Sequence, residues 1–261
     1  LIIAARLGSP LVIGVGKGEH FIASDGSPLV GYTDKIVYLA DHELAVVTAE
    51  TIRVIHRDEG RIRHDVQELE IETTQVELEG YPHYMLKEIF EQPESLQNVM
   101  RGRLSDDDAT AVFGGLNLSP QQLRSANRMI LTACGTSWHA ALVGKFVIEQ
   151  IVGVPVEVDY GSEYRYRNPI VTPTTLAVVI TQSGETADTI AAQRLVRDMG
   201  FRVLTITNVV GSMTTRLADG VLYTRAGPEI GVASTKAFGA SPNGFSVADR
   251  MCASPSSRWR V

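Results

Sequence analysis

Hydrophobic and polar positions follow different patterns in the two parts of this chain. Up to about residue 70, short apolar runs such as 11–15, 21–24, 43–49 and 51–55 recur at close spacing, which predicts β-strands. Two glycines between the first two runs predict a hairpin turn at 16–19. After residue 128, apolar runs alternate with segments of helical period. That alternation predicts a parallel, doubly wound sheet with helices on both faces.

A helical period also lies between these two parts, around residues 84–100. Its apolar face is predicted to point inward and its charged residues outward. Pro93 is expected to end this helix and to open a second one. The pattern rests on the apolar residues Met85, Leu86, Ile89 and Phe90 and on the charged residues Lys87, Glu88 and Glu91.

Helix signals and apolar runs place the later elements. Ser119, Pro120 and Gln122 stand where an N-cap, a first helical residue and a capping glutamine are expected, so a helix starts there. Gly200 is placed to end another helix. The predicted strands are 129–133, 154–158, 176–180, 202–207 and 220–223, and the predicted helices between them are 138–152, 185–199 and 211–217.

Two strand-to-helix turns in this half are rich in hydroxyl groups. Residues 134–137 read Cys-Gly-Thr-Ser, and residues 181–186 read Thr-Gln-Ser-Gly-Glu-Thr. Free backbone N–H groups and the positive end of a helix dipole favour an anion at such a turn. If the first and third strands are neighbours, both turns line one crevice and form a phosphate cradle. The alternative is that these Ser and Thr residues only cap two helices.

Composition excludes several classes of function. The chain has 261 residues, 44% hydrophobic and 21% charged, with a net charge of −6 and no basic cluster, which argues against binding nucleic acid. Two cysteines fit a reducing compartment, and no apolar run is long enough to span a membrane. The glycine-rich residues 14–18 lack the ending of a phosphate-binding loop, and the acidic run 106–108 is interpreted as a solvated loop. No metal and no cofactor is predicted.

Four further residues receive simple interpretations. Cys134 and Trp138 are expected to pack. His139 lacks a metal-spaced partner and is expected to be structural or to lie at the surface. Lys236 either counters a phosphate charge or occupies a solvated position on a helix.

The two ends of the chain depart from the rest. The sequence starts in an apolar run without an initiator methionine, and periodicity is lost over residues 239–261. We therefore expect a fragment with an aberrant tail.

Several spaced blocks resemble one family, the glutamine–fructose-6-phosphate aminotransferases, also called glucosamine-6-phosphate synthases. Residues 1 to about 238 follow the order of that family. The resemblance implies the β-rich end of an N-terminal-nucleophile (αββα) glutaminase domain at 1–72, a linker and helices at 73–104, and the first SIS sugar-phosphate-binding domain at 105–238. The blocks are 9–14, 21–25, 87–93, 134–137, 162–167, 182–189 and 229–238.

This resemblance implies an enzyme that makes glucosamine 6-phosphate and glutamate from fructose 6-phosphate and glutamine. The part present here would bind the sugar phosphate, with Val232 and Ser234 close to the sugar. Thr181 stands where the family usually has a serine, so the hydroxyl is kept. The other residues that match sugar-phosphate contacts are Thr136, Ser137, Gln182, Ser183 and Thr186.

The family's catalytic residues correspond to segments that this chain does not contain, so no catalytic residue is assigned here. We expect the purified chain to bind sugar phosphate weakly and to catalyse nothing. The resemblance also implies a homodimer formed through SIS domains, glutamine as a partner of the full-length enzyme, and a cytoplasmic location. Two alternatives remain, a phosphosugar isomerase or deglycase with SIS domains, and a regulator that senses sugar phosphates.

Overall fold

Two compact units make up the chain, Leu1–Gly80 and Tyr81–Val261. The computed structural model describes residues 1–8, 10–24, 26–69, 77–105, 110–111 and 115–241. The acidic run 106–108 lies outside the described residues, and so does the tail from residue 242 onward. The first residues of the predicted tail, 239–241, are helical, whereas the sequence pattern suggested no structure there.

The first unit consists of short antiparallel strands, as the apolar spacing predicted. A short 3₁₀ turn, Ser27–Leu29, follows the third strand. The strands are β1 (Ile2–Ala5), β2 (Val12–Val15), β3 (His20–Ala23), β4 (Lys35–Tyr38), β5 (Glu43–Val47), β6 (Ile52–His56), β7 (Gly60–Ile62) and β8 (Gln67–Glu68).

These strands form two four-stranded sheets, ordered β1-β5-β6-β7 and β3-β2-β4-β8. Ile13 and Val37 from one sheet share a buried cluster with Ala45 and Val54 from the other, so the sheets pack face to face. The predicted hairpin is confirmed, since the Gly16 N–H donates to the Glu19 carbonyl at 3.1 Å and β2 pairs antiparallel with β3.

The second unit contains the alternating strands and helices. A two-residue ladder, β9 (Leu104–Ser105) with β10 (Thr110–Ala111), precedes them. The helices are α1 (Tyr84–Met100), α2 (Pro120–Arg124), α3 (Thr136–Val152), α4 (Gly161–Tyr164), α5 (Ala187–Asp198) and α6 (Met213–Arg216), and the remaining strands are β11 (Arg128–Ala133), β12 (Val156–Tyr160), β13 (Thr175–Ile180), β14 (Val203–Thr207) and β15 (Gly220–Tyr223).

Five of these strands form one parallel sheet in the order β12-β11-β13-β14-β15. Successive residues of β13 belong to different cores. Val178 packs with Ala141 and Ile148 of α3 on one face, and Val179 packs with Ala192 of α5 on the other. Every residue of β13 is buried, which explains its continuous apolar run. The doubly wound architecture predicted from the alternation is confirmed.

Helix α1 differs from its prediction in two ways. It is one helix with Pro93 inside, where the sequence predicted an interruption. The carbonyl of Ile89 cannot accept from the missing proline N–H, and it accepts from Gln92 Nε2 at 3.1 Å instead. The predicted faces are also wrong in part, because Lys87 and Glu88 are buried whereas Ile89 and Phe90 are exposed.

Helix α2 begins as predicted. Ser119 Oγ accepts from the Gln122 N–H at 3.2 Å, and Gln122 Oε1 accepts from the Ser119 N–H at 2.8 Å, which completes a capping box. Within the described ranges, no helix is both long and apolar enough to cross a bilayer.

Candidate functional site: a two-turn crevice at the sheet edge

The two hydroxyl-rich turns follow neighbouring strands. Strands β11 and β13 pair in parallel, with Ala133 opposite Ile180, so both chains leave the sheet side by side. The strand β12, which follows β11 in sequence, lies on the other side of β11. The order of strands therefore reverses between β11 and β13, and this reversal point is where open α/β sheets bind ligands. The condition set by the sequence, that the first and third strands be neighbours, is met.

Hydroxyl groups organise the second turn from within. Thr181 Oγ1 accepts from the Gly184 N–H, and Ser183 Oγ accepts from the Glu185 N–H, both at 3.2 Å. Thr181 Oγ1 also lies 3.4 Å from Thr186 Oγ1. A hydroxyl that accepts one hydrogen bond still carries its own proton, so these groups can donate to an anion in the crevice.

Gly184 holds this turn against the neighbouring segment. Its φ of +70° lies in the left-handed region, and a Cβ at this position would overlap the side chain of Ser212. The Thr214 N–H donates to the Gly184 carbonyl at 3.1 Å, and the Met213 N–H donates to Glu185 Oε1 at 2.9 Å. The turn is therefore fixed to the start of α6, and only glycine fits its tightest point.

The first turn leads directly into α3. Gly135 is the N-cap residue with φ +58°, and Thr136 and Ser137, both partly buried, are the first two helical residues. The Gly135 carbonyl accepts from the Trp138 N–H and lies 3.1 Å from His139 Nδ1. The helix thus begins two residues earlier than predicted, and both hydroxyl groups belong to its first turn.

Neither helix at the crevice is capped by the side chain of its N-cap residue. Gly135 has no side chain to offer α3, and Thr186 makes no capping hydrogen bond at α5. Apart from the Trp138 N–H, which donates to the Gly135 carbonyl, no described hydrogen bond occupies the N–H groups of these two first turns, so they remain available to an external acceptor. This finding argues against the alternative in which the Ser and Thr residues only cap helices. Two helix N-termini that follow neighbouring strands favour an anion at this edge of the sheet.

An ion pair lies beside the second turn. Asp188 lies in the first turn of α5, where a bound anion would be repelled by its carboxylate. Arg165, at the end of α4, pairs with it at 2.6 Å from Nη1 to Oδ1. This pair involves two of the sequence blocks, 162–167 and 182–189, and gives the arginine a role that the sequence did not suggest. Both side chains are partly exposed, so the pair contributes electrostatics more than stability.

Asn208 is a residue of this site that the sequence pattern missed. It follows β14, and its N–H donates to the Gln182 carbonyl at 3.1 Å. Its side chain donates to the Gly227 carbonyl at 2.6 Å and accepts from the Ala226 N–H at 2.8 Å. Asn208 therefore joins the second turn to the segment after β15. A lone asparagine after a strand carries no signal that could have identified it.

The segment after β15 contains the other two predicted residues. Val232 is fully exposed on a loop, and Ser234 Oγ donates to Glu229 Oε2 at 2.7 Å and accepts from the Phe238 N–H at 3.1 Å. The described hydrogen bonds connect this loop to the second turn through Asn208. They do not include a direct contact of Val232 or Ser234 with either turn.

Lys236 does not fit either of its two interpretations. Only 5% of this residue is exposed, so it is not solvated. Its Nζ lies 2.6 Å from Glu91 Oε2, and this carboxylate also pairs with Lys87 at 3.4 Å. The charge of Lys236 is therefore committed to α1 and not to a phosphate in the crevice.

Cys134 and Trp138 have neighbours within the protein. The Cys134 thiol is partly buried and accepts from Thr189 Oγ1 at 3.6 Å, which joins β11 to α5. The Trp138 ring stacks on Tyr160 with 4.3 Å between ring centroids.

A cavity of about 460 Å³ lies at the opposite edge of the sheet. Its lining includes Gln122 of α2, Leu176 at the start of β13 and Arg202 just before β14. These residues lie at the amino ends of the strands, far from the two turns along β13. The crevice proposed from the sequence and this cavity are thus different places.

Comparisons with known proteins agree with the fold and the motifs. Residues 122–241 match the sequence model of the SIS domain. The chain is 52% identical over 239 residues to the isomerizing glutamine–fructose-6-phosphate aminotransferase of Chlorobaculum tepidum, covering 91% of this chain and 39% of that protein. It is 46% identical over 238 residues to the enzyme of the same name from Methanosarcina mazei. That match covers 91% of this chain and 38% of the relative. The chain therefore spans about two fifths of the length of these relatives.

Solved structures give the same result. The C-terminal domain of glucosamine-fructose-6-phosphate aminotransferase from Francisella tularensis is 38% identical, with a TM-score of 0.61, covering 66% of this chain and 48% of that one. A glucosamine-6-phosphate deaminase from Thermotoga maritima shares the fold, with a TM-score of 0.51 and 17% sequence identity. The match covers 65% of this chain and 51% of the deaminase. The chain is a relative of the glutamine–fructose-6-phosphate aminotransferases, as its motifs indicated, and its residues 122–241 are a SIS domain.

Proposed function

We propose that the two-turn crevice binds the phosphate of a hexose 6-phosphate, either fructose 6-phosphate or glucosamine 6-phosphate. Hydroxyl and amide donors of both turns would hold the phosphate, and Val232 and Ser234 would lie next to the sugar. The residues of the two turns that carry this role are Thr136, Ser137, Thr181, Gln182, Ser183 and Thr186.

One observation carries the proposal: two helices without side-chain caps begin side by side at the point where the strand order reverses. Backbone N–H groups, helix dipoles and hydroxyls then act on the same ligand. Neither turn contains a lysine or an arginine. Neutral donors suit a phosphate monoester that must be held and then released.

For the whole protein we propose the activity of its relatives, conversion of fructose 6-phosphate and glutamine to glucosamine 6-phosphate and glutamate. Residues 1–72 would be the end of a glutaminase domain of the N-terminal-nucleophile type, 73–104 a linker with helices, and 105–238 the first SIS domain. Glutamine as a second substrate, a homodimer through SIS domains and a cytoplasmic location are further predictions from the resemblance.

The extent of the sequence match favours this activity over the alternatives. The aminotransferase relatives align over 239 residues, well beyond the 122–241 match of the SIS domain itself. A phosphosugar isomerase or deglycase that shared only SIS domains would leave residues 1–80 without a counterpart. A regulator would need a DNA-binding module, and the sequence offers no basic helix pair for one.

Calorimetric titration of the purified chain tests the proposal. We expect fructose 6-phosphate to bind, inorganic phosphate to bind more weakly, and fructose to give no signal. Replacing Thr136 with valine keeps the shape and removes a donor, so binding should weaken by about fivefold or more. Thr174→Val, at the other end of β13, is the matched control and should leave the affinity unchanged.

Equal affinity for fructose and fructose 6-phosphate would contradict a phosphate cradle, and so would equal effects of the two threonine variants. The same preparation should form no glucosamine 6-phosphate from fructose 6-phosphate and glutamine. Formation of that product would overturn the expectation that this chain binds but does not catalyse.

A further inference from the structure

Helix α1 carries a buried carboxylate that binds a loop far away in sequence. Glu88 is only 2% exposed, and its Oε1 accepts from the Ile230 N–H at 2.6 Å and from the Gly231 N–H at 3.0 Å. Its Oε2 lies 3.2 Å from the same Gly231 nitrogen. Burying a carboxylate is costly unless donors surround it, so this arrangement requires the loop to keep its present path.

Gly231 allows the close approach of the two segments. A Cβ at this position would lie 2.5 Å from Glu88 Oε2, so a side chain here would displace the carboxylate or the loop. Glycine and glutamate therefore fit each other as a pair. The pair fixes one end of the loop formed by residues 230–235, called here the exposed loop.

A second carboxylate fixes the other end of the exposed loop. Glu229 Oε1 accepts from the Thr235 N–H at 2.6 Å and from the Lys236 N–H at 2.8 Å, and its Oε2 accepts from Ser234 Oγ at 2.7 Å. Between the two fixed ends, Val232 projects into solvent with its full side chain. A loop held rigidly at both ends with an exposed apolar residue between them is suited to contact a ligand.

The exposed loop is also connected to the crevice. Asn208 bonds the Gln182 carbonyl in the second turn and the Gly227 carbonyl just before Glu229. The loop thus starts from the carboxyl edge of the sheet, where the crevice lies. Its position relative to the crevice depends on Asn208 from one side and on α1 from the other.

We propose that Glu88 is a positioning residue for sugar recognition. It holds the exposed loop in the position in which Val232 and Ser234 contact the sugar. The phosphate is held by the two turns alone. This inference rests on the proposed function of the crevice. It divides recognition of one ligand between two parts of the fold and assigns the sugar part to a residue that never touches the ligand.

The test compares two ligands, fructose 6-phosphate and inorganic phosphate, by calorimetric titration of the 261-residue chain and its Glu88→Gln variant. The amide replaces one acceptor oxygen with an NH₂ group that faces backbone N–H donors, so the loop should move. We expect the affinity for fructose 6-phosphate to fall about tenfold and the affinity for phosphate to change less than twofold. Glu94→Gln, at an exposed position on the same helix, is the matched control and should change neither.

The Gly231→Ala variant keeps the inference testable if Glu88→Gln does not fold. It leaves the buried charge in place and moves the loop only through the overlap with Glu88, so it should show the same selective loss. In a Glu88→Ala background, where the overlap is absent, Gly231→Ala should have no further effect.

Each outcome has a distinct meaning. If the wild-type chain binds neither ligand, the proposed function of the crevice fails. If it binds both, and Glu88→Gln or the folded Gly231→Ala binds fructose 6-phosphate as the wild type does, the positioning role is refuted while the proposed function stands. Parallel loss of both ligands by a folded variant would also refute the separation of sugar and phosphate recognition.

Discussion

Gly184 is the residue on which the shape of the second turn depends most. Its left-handed φ and its contact with Ser212 leave no room for a side chain. The sequence identified this glycine only as part of a polar turn. The packing of α6 against it could not be foreseen, because Ser212 lies 28 residues further along the chain.

Replacing Gly184 with alanine should therefore cost more stability than an ordinary left-handed glycine. Gly200→Ala is the matched control, since Gly200 has φ +82° and open space around it. We expect the control to lower the free energy of unfolding by about 1 kcal/mol, and Gly184→Ala to lower it by about 1–3 kcal/mol more. Unfolding in urea measures both losses. Equal losses in the two variants would contradict the tight fit.

Tyr164 offers a test of burial in the second unit. The residue has no exposed surface, and desolvation raises the pKa of its hydroxyl to about 12. The folded protein holds the Tyr164 proton more tightly than the unfolded chain does. The contribution of this residue to the free energy of unfolding is therefore fully present below pH 10. It is lost as pH rises from about 10 toward 12, by up to about 3 kcal/mol.

In the Tyr164→Phe variant this loss should be absent, since the ring remains and the ionisable group is gone. The hydroxyl has no hydrogen-bond partner among the described residues, so stability at pH 8 should change little. Urea unfolding between pH 8 and pH 11.5 gives both values, with the exposed Tyr166→Phe as the control. If wild type and Tyr164→Phe lose stability in parallel above pH 10, Tyr164 does not titrate as its burial requires.

Among the secondary-structure elements, the N-termini of helices α2 and α5 differ in how they are capped. Helix α2 has a complete capping box, whereas α5 begins at Thr186 without a side-chain cap. Both starts look alike in sequence, because each is a hydroxyl residue ahead of a helix. Only the geometry separates a residue that stabilises a helix from one whose hydroxyl remains available to a ligand.

We expect opposite results when the two hydroxyls are removed. Ser119→Ala should lower the free energy of unfolding by about 1 kcal/mol and leave sugar-phosphate affinity unchanged. Thr186→Ala should cost less than about 0.5 kcal/mol of stability, since no cap is lost, and should weaken sugar-phosphate binding. Urea unfolding and calorimetric titration measure the two effects. A stability loss from Thr186→Ala as large as that from Ser119→Ala would favour the capping role instead.

Helix α1 marks the limit of predicting an element from its own sequence. Its apolar residues at helical spacing predicted a buried face, yet Ile89 and Phe90 are among the exposed residues. The charged side is buried because Glu88, Glu91 and Ser95 bind residues 226–236, more than 130 positions away. Such partners contribute nothing to a local pattern. Pro93 also lies within a single helix, against its usual effect.

At the scale of the whole molecule, the alternation of strands and helices was sufficient to predict the sheet. Continuous apolar runs marked strands buried on both faces, and the hydroxyl turns between them marked the sheet edge where a ligand could bind. The order of the strands was not readable from the pattern, and it decides whether the two turns meet. The pairing of β11 with β13 supplies that condition. Asn208, Glu88 and Arg165 were missed as parts of this arrangement because each acts through a partner distant in sequence.

Amide hydrogen exchange over a series of fructose 6-phosphate concentrations shows whether the two turns form one site. If both turns form one phosphate site, residues 134–139 and 181–187 should gain protection together, with the same dependence on ligand concentration. Residues 118–126 and 200–202, around the cavity at the opposite sheet edge, should exchange as before. Protection of one turn without the other, or protection centred on that cavity, would contradict the account.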